Sequence, residues 1–315
     1  MLSGLDIIFL ILSIAEFIIG VLGNVFIELV NCYECVKNQN ISLANFIFTC
    51  LAISRISHLL ASLLQSLSVV LPIHLDSSYN LAKPTTLLWR ITNHLINWLA
   101  ACLSIFYLFK IAHFSHPLFF WLKWRINRVV LVILVFSLFF LIFDLLLLET
   151  FNDYFLSFHL QDKRNWTLYA DERKTLYFET MLLLSLNYLF PTVLSLTSLL
   201  LLFLSLVRHT RNLQLNCMGS IDFNTVAHKR AIKMVMCFLF LFTVHFFSTQ
   251  VANWILFIFA KNRFVKFVLL AVYIFPSGHP FLLLLGNSKL RKTALKVLQH
   301  LEISLRRKNL FQLYR

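Results

Sequence analysis

The chain has 315 residues, 59% of them hydrophobic and only 13% charged, with a mean hydropathy of +0.78. A soluble domain carries about 25% charged and 45–50% apolar residues, so too little polar surface is available here to cover a water-soluble particle. Thirty-three Phe beside six Gly and six Pro exclude a disordered or fibrous chain. The net charge of +14 would suggest a nucleic-acid partner in a soluble protein; in a membrane protein it is read by position along the chain, and no nucleic-acid partner is expected.

A membrane-spanning helix needs about 20 apolar residues. Seven runs meet that length: Ile7–Val30, Ala44–Val70, Thr86–Ile111, Val129–Leu148, Met181–Val207, Met234–Ala260 and Phe264–Gly286. They are continuous rather than alternating, which favours helices over a membrane barrel. The expected fold is an all-α membrane protein: a seven-transmembrane helix bundle over residues 1–287, with a short amphipathic C-terminal helix in a cytoplasmic tail over 288–315. Residues 1–6 carry no basic segment, and the run after them is too long for a cleaved signal peptide, so it reads as the retained first helix.

In the first span, Glu16, Gly20, Gly23, Asn24 and Asn31 recur at helical spacing, so most share one face. The second span holds Arg55, a full cation that needs an anionic or carbonyl partner inside the membrane; Asn24 and Glu28 are the candidates. Arg55 reads equally as part of a switch or as a static packing knot. Between the fourth and fifth spans, Asn165-Trp166-Thr167 fits the N-glycosylation acceptor pattern. Past the seventh, Leu290, Ala294, Val297, Leu298, Leu301 and Leu305 fall on one face and Lys and Arg on the other, as in a helix lying on an anionic leaflet.

With the N-terminus outside, the inner loops and tail hold 18 Lys and Arg and the outer segments 9. The positive-inside rule therefore predicts a multi-pass plasma-membrane protein with an extracellular N-terminus and a cytoplasmic C-terminus. Cys32, Cys35 and Cys217 then lie inside, and Cys50, Cys102 and Cys237 within spans, so no disulfide is expected. Cys32-x-x-Cys35 lacks a second pair, and no metal or cofactor is expected.

No Gly-rich nucleotide loop, H-E-x-x-H or paired-carboxylate arrangement suggests an enzyme. A receptor that passes a conformational change inward is the leading class. A multi-span transporter or channel for small molecules is the alternative, but transporters usually carry internal repeats, and none is visible.

Five segments sharpen this. They are Glu16-Phe-Ile-Ile-Gly-Val-Leu-Gly-Asn24, Leu51-Ala-Ile-Ser-Arg55, Phe106-Tyr107-Leu-Phe-Lys110, His228-Lys229-Arg-Ala-Ile-Lys233, and the run from Pro276-Ser-Gly-His279-Pro280 to Arg291. In this order and spacing the chain resembles the bitter taste receptors, the type 2 branch of G-protein-coupled receptors. The resemblance implies detection of small, mostly apolar bitter agonists from outside and activation of a gustducin-like heterotrimeric G protein; receptor oligomers are compatible with it. Glu28 departs from the family pattern.

The same resemblance implies a ligand site between the third, fifth, sixth and seventh spans. Trp89-x-x-x-Asn93 matches the family's aromatic and amide pair, one face of the third span at i and i+4. Trp89 offers an apolar plate with one N–H, and Asn93 a donor and an acceptor. The expected neighbours are Gln65 and Ser66 on the second span, Thr180, Leu184 and Asn187 on the fifth, Gln250 and Asn253 on the sixth, and Leu269 and Tyr273 on the seventh. His245, mid-membrane in the sixth span, is either a ligand sensor or a satisfied core histidine. Asn24, Arg55, Tyr107, Lys110, His228, Lys229, Lys233 and His279 are the residues expected to switch the bundle or face the G protein, together with the basic, aromatic run 119–125.

Overall fold

The computed structural model describes residues 3–38, 42–71, 75–112, 114–160, 168–216, 223–258 and 264–286, with positions 291, 292, 295, 296 and 299 of the tail. These form eight helices: α1 (Gly4–Asn38), α2 (Leu43–Val70), α3 (Leu75–Ile111), α4 (Pro117–Trp124), α5 (Ile126–Leu160), α6 (Leu168–Asn216), α7 (Phe223–Ile258) and α8 (Phe264–Gly286). All but α4 contain a stretch of 19 to 34 residues long and apolar enough to cross a bilayer. In hydrocarbon every backbone N–H and C=O must bond within the chain, and the helix does this locally.

The helices run past the apolar segments that announce them. α6 covers 49 residues, well beyond Met181–Val207. Once a helix is nucleated each further residue adds a hydrogen bond at little cost, so it continues into the polar rim. The run 119–125 is helical up to Trp124: α4 starts at His116, whose Nδ1 accepts from the Leu118 N–H at 3.3 Å, with Pro117 at the first helical position. Asn165 and Cys217 lie outside the described residues, as does most of the tail; its described positions are helical.

α3 is the central element. Its span is 78% buried, against 17% for those of α1 and α5. Ile96, Ala100 and Leu108 of α3 pack with Leu199, Leu202 and Leu206 of α6, Val235, Phe238 and Phe242 of α7 and Phe275 of α8. Leu99, Cys102 and Leu103, on another face of α3, meet Ile47 and Leu51 of α2 and Val130 of α5.

Polar contacts fix the depth of each helix. At one end Lys266 of α8 pairs with Asp6 of α1, which Ser3 also bonds. One level deeper, Ser66 of α2 meets the Tyr273 hydroxyl at 2.9 Å. Asn31 of α1 bonds the Asn45 carbonyl and Thr49 of α2 near the opposite end, where Lys110 closes α3. These two faces of the bundle are called here the Asp6 end and the Lys110 end.

The seam between α1 and α8 is close-packed. Pro280 has no N–H, so the Pro276 carbonyl one turn before it has no helical donor. The Asn24 amide supplies one at 2.9 Å and also bonds the Gly20 carbonyl at 2.8 Å. A Cβ on Gly20 would come within 2.6 Å of Leu59 Cδ1 and 2.8 Å of Ser277 Oγ. Asn24 is thus committed to α8, and Glu28 accepts from Thr49 Oγ1 at 2.9 Å and Cys32 Sγ at 3.4 Å. Neither pairs with Arg55, contrary to the expectation from sequence.

Gly20→Val should therefore overpack the seam, whereas Gly4→Ala, with nothing within 4 Å of the added atom, should be neutral. The expected loss for Gly20→Val is about 1–3 kcal/mol, read as a lower thermal midpoint of the purified protein; an unchanged midpoint would show that α1 can back away from α8.

Candidate functional site

Two buried polar groups sit at different depths of the bundle. The first lies toward the Asp6 end, between α3, α5 and α6. Asn93 is fully buried, and its Nδ2 has no hydrogen-bond partner; the Asn97 amide donates to its backbone oxygen at 2.8 Å and to Oδ1 at 3.3 Å. Beside it, Asp144 of α5 is fully buried and accepts from the Tyr188 hydroxyl at 3.0 Å. Arg90 stands with Nη1 4.0 Å from Asp144 Oδ1, and its guanidinium carbon is 6.0 Å from the Trp89 ring. That separation is too long for a hydrogen bond, so Arg90 Nε and Nη1 and Asp144 Oδ1 all remain without one. Asn187 donates to the Phe140 carbonyl at 3.2 Å and keeps Oδ1 unused. The group therefore holds unspent donors and acceptors within an apolar setting, as small-molecule sites do.

Arg90, Asp144 and Tyr188 were not among the residues expected from sequence to bind ligand. Arg90 sits one residue after Trp89, near the start of an apolar run, and reads as a rim cation. The cue available was Asp144, an acid in the midst of Val129–Leu148, which required a partner on a neighbouring helix.

The second group lies deeper. Arg55 is 2% exposed, with its guanidinium carbon 5.3 Å from the Phe275 ring centre. His245 stacks on the same ring at 4.9 Å, and His279 approaches it at 5.4 Å. Neither histidine makes a well-formed hydrogen bond from its ring nitrogens, although His245 lies within reach of the Val272 backbone.

His58 ties the two groups together. Its ring lies 5.5 Å from Trp89 and 6.2 Å from His245, and Nδ1 meets Thr92 Oγ1 at 3.1 Å. A column of rings therefore runs Trp89, His58, His245, Phe275, His279 and Phe238, the last step being 4.7 Å. It ends at a cavity toward the Lys110 end, lined by Leu103, Ser104, Tyr107, Phe238, His279 and Leu282 among others. His58 escaped the sequence reading because a single histidine among Ser and Leu carries no pattern; only its position three residues after Arg55 places it on the same face.

The remaining expected residues divide. Thr180 and Leu184 are buried on α6, and Asn253 is half-buried on α7. Gln250 is half-buried with both amide atoms unpartnered, and Gln65 keeps its Oε1 so. Ser66 and Tyr273 bond each other, and Leu269 packs on Phe9 and Val265, so these three face the α1–α2–α8 side rather than the Trp89 group. At the other end Tyr107 is half-buried in the cavity wall, while Lys110 and Lys233 are exposed. His228 and Lys229 lie on α7, with side chains outside the described residues.

Comparison with known proteins decides the family. A family model described as Taste receptor protein (TAS2R) matches residues 1–302. The chain is 59% identical to Taste receptor type 2 member 42 of Pan troglodytes and of Homo sapiens, over 96% of this chain and 96% of each relative. It is 43% identical to Taste receptor type 2 member 7 of Papio hamadryas, over 92% of each chain.

The chain belongs to the taste receptor (TAS2R) family.

It is a multi-span membrane receptor and not an enzyme. The transporter or channel alternative is not favoured, since the family match covers nearly the whole chain.

In this taste receptor the Arg90–Asp144 pair is buried on both sides, 6% and 0% exposed. Removing one partner of a buried pair leaves an uncompensated charge and costs about 3–5 kcal/mol. Asp144→Ala should lower the thermal midpoint of the purified receptor strongly, and adding Arg90→Met to it should recover part of the loss. A double variant no more stable than Asp144→Ala alone would mean that the pair is uncoupled.

Proposed function

We propose that this receptor is a G-protein-coupled receptor for small, mostly apolar bitter compounds that reach it from the extracellular side, and that it activates a gustducin-like heterotrimeric G protein. The observation that carries the reading is the group of unspent donors and acceptors around Trp89 and Asn93, joined by a continuous column of rings to a cavity near the opposite face.

In this reading the Asp6 end is extracellular and the Lys110 end cytoplasmic, in the plasma membrane, with Asn165 glycosylated. Residues 1–287 form the receptor domain and 288–315 the cytoplasmic amphipathic tail. A ligand places its apolar body on Trp89 and exchanges a hydrogen bond with Asn93 Nδ2 or Asn187 Oδ1, two of the buried amide atoms without a well-formed hydrogen bond. Arg90 and Asp144, 4.0 Å apart, are close enough to tighten or part as the ligand enters.

Ligand and G protein then act on one two-state bundle, each binding the active arrangement better. Packed rings change positions discretely, which suits the column to transmit such a change. The cytoplasmic face that receives the G protein carries Lys110, whose Nζ lies 5.3 Å from the Phe106 ring, and Arg125, 4.8 Å from the Trp121 ring, with Lys233, His228 and Lys229 on α7. Basic groups seated on aromatic faces suit an amphipathic partner helix.

A panel of bitter compounds on cells expressing the receptor with a promiscuous G-protein chimera tests this through intracellular calcium. Burial of a large side chain against ligand contributes about 1.5–3 kcal/mol, so Trp89→Ala should raise the half-maximal concentration of an agonist about 10- to 100-fold. His245→Phe should keep surface expression but reduce maximal response, because it leaves the ring stack and removes both nitrogens. Silence to the whole panel at normal surface expression would overturn the bitter reading, and an unchanged Trp89→Ala curve would move the ligand elsewhere.

A further inference from the structure

The strongest unexplained feature of the molecule is a buried positive charge with no counter-charge among the described residues. Arg55 lies within a membrane span, almost fully enclosed, and its Nε and Nη2 have no hydrogen-bond partner. Arginine does not give up its proton in proteins, and an isolated ion in a low-dielectric interior is strongly unfavourable.

Among the described residues no carboxylate comes within ion-pair distance of Arg55. Asp6 is taken by Lys266 and Ser3, Glu28 by Thr49 and Cys32, and Asp144 by Tyr188 and Arg90. Glu16, one turn from the Gly20–Asn24 seam, keeps Oε2 buried without reaching any cation.

What surrounds Arg55 instead is a set of neutral donors. His245 and His279 flank the same Phe275 ring; the His279 nitrogens are unpartnered, and His245 has only the Val272 backbone within reach. Along α2, Ser62 follows at i+7, on the same face, with its Oγ also unpartnered, whereas His58 at i+3 gives its N–H to Thr92, whose own hydroxyl donates to the Leu88 carbonyl at 2.7 Å. A neutral imidazole has one N–H to give, and a hydroxyl one O–H. Neutral donors gathered beside a buried cation, with no carboxylate among them, favour an anion. Water could satisfy the donors but would leave the charge uncancelled.

We propose that Arg55, with His245 and His279, forms a buried binding site for a small monovalent inorganic anion, chloride in ordinary salt, located between α2, α7 and α8 at mid-depth. The site is distinct from the Trp89–Asn93 group. His279 also borders the cavity toward the Lys110 end, beside Phe238. Bound beside Arg55, the anion cancels the guanidinium charge and holds α2, α7 and α8 in one arrangement, so occupancy stabilises whichever state has the donors converged.

The test uses the purified full-length receptor in lipid nanodiscs. Its thermal midpoint is followed while sodium chloride replaces sodium gluconate at constant ionic strength, gluconate being too large for the site. A saturable rise of about 2–4 °C is expected, with bromide substituting for chloride. Arg55→Gln and, as a milder change, His279→Phe should each flatten the chloride dependence. His279→Phe keeps the ring packing and thus carries the test should the Arg55 variant not fold. A midpoint in the wild-type receptor that is indifferent to chloride would overturn the proposal. So would a chloride-dependent rise that persists undiminished in His279→Phe, since it would place the ion elsewhere on the protein.

Discussion

One backbone carbonyl organises the side of the bundle where α1, α2 and α8 meet. Pro280 deprives the Pro276 carbonyl of its helical donor, and the Asn24 amide replaces it across the helix boundary. Lipid offers no water to repair such a gap, so the bond cannot be traded for solvation. To reach it, Asn24 must lie close against α8, which requires the bare backbone of Gly20 beside Leu59 and Ser277. The same seating turns Phe275 toward Arg55 and His279 toward Phe238. Helices in a bilayer gain little from merely burying apolar surface against each other, and this seam shows what holds them instead: small residues for approach and a polar bond for register.

The two buried polar groups solve the problem of charge in the membrane differently. Arg90 and Asp144 stand opposite each other at 4.0 Å, with Tyr188 bonding the carboxylate. Arg55 has an aromatic face and two histidines but no acid. The first arrangement is nearly neutral as a unit and tolerates small changes in spacing; the second carries a net charge and rests on orientation. Between them, His58 is the side chain that contacts both, through Trp89 on one side and His245 on the other.

Most of the fold was legible in the sequence, because bilayer thickness imposes a length that seven apolar runs satisfy and that no other feature mimics. Helix ends were less so: hydropathy marks where lipid ends, not where hydrogen bonding ends, and α6 shows the difference. Within the site, Trp89 and Asn93 were readable as a pair, and Arg55 as a charge in need of a partner. Their surroundings were not, since they depend on neighbours distant in sequence. Glu28 is a natural guess for Arg55 by proximity along the chain, yet Thr49 and Cys32 hold it. Ser66 and Tyr273, expected beside a ligand, also bond each other, which only the packing of α2 on α8 reveals.

The weakly buried α5 has a further consequence. Phe139, Ile142 and Phe143 are largely exposed on its outer face. Among the described side chains, polar contacts hold the middle of this helix: the Ser137 carbonyl with His94, the Phe140 carbonyl with Asn187, and Asp144 with Tyr188. Toward its start it touches the bundle through Ile126, Val130 and Ile133, an apolar contact. α5, like α1, is thus met by acyl chains along most of its span, whereas its neighbours shield α3 from them.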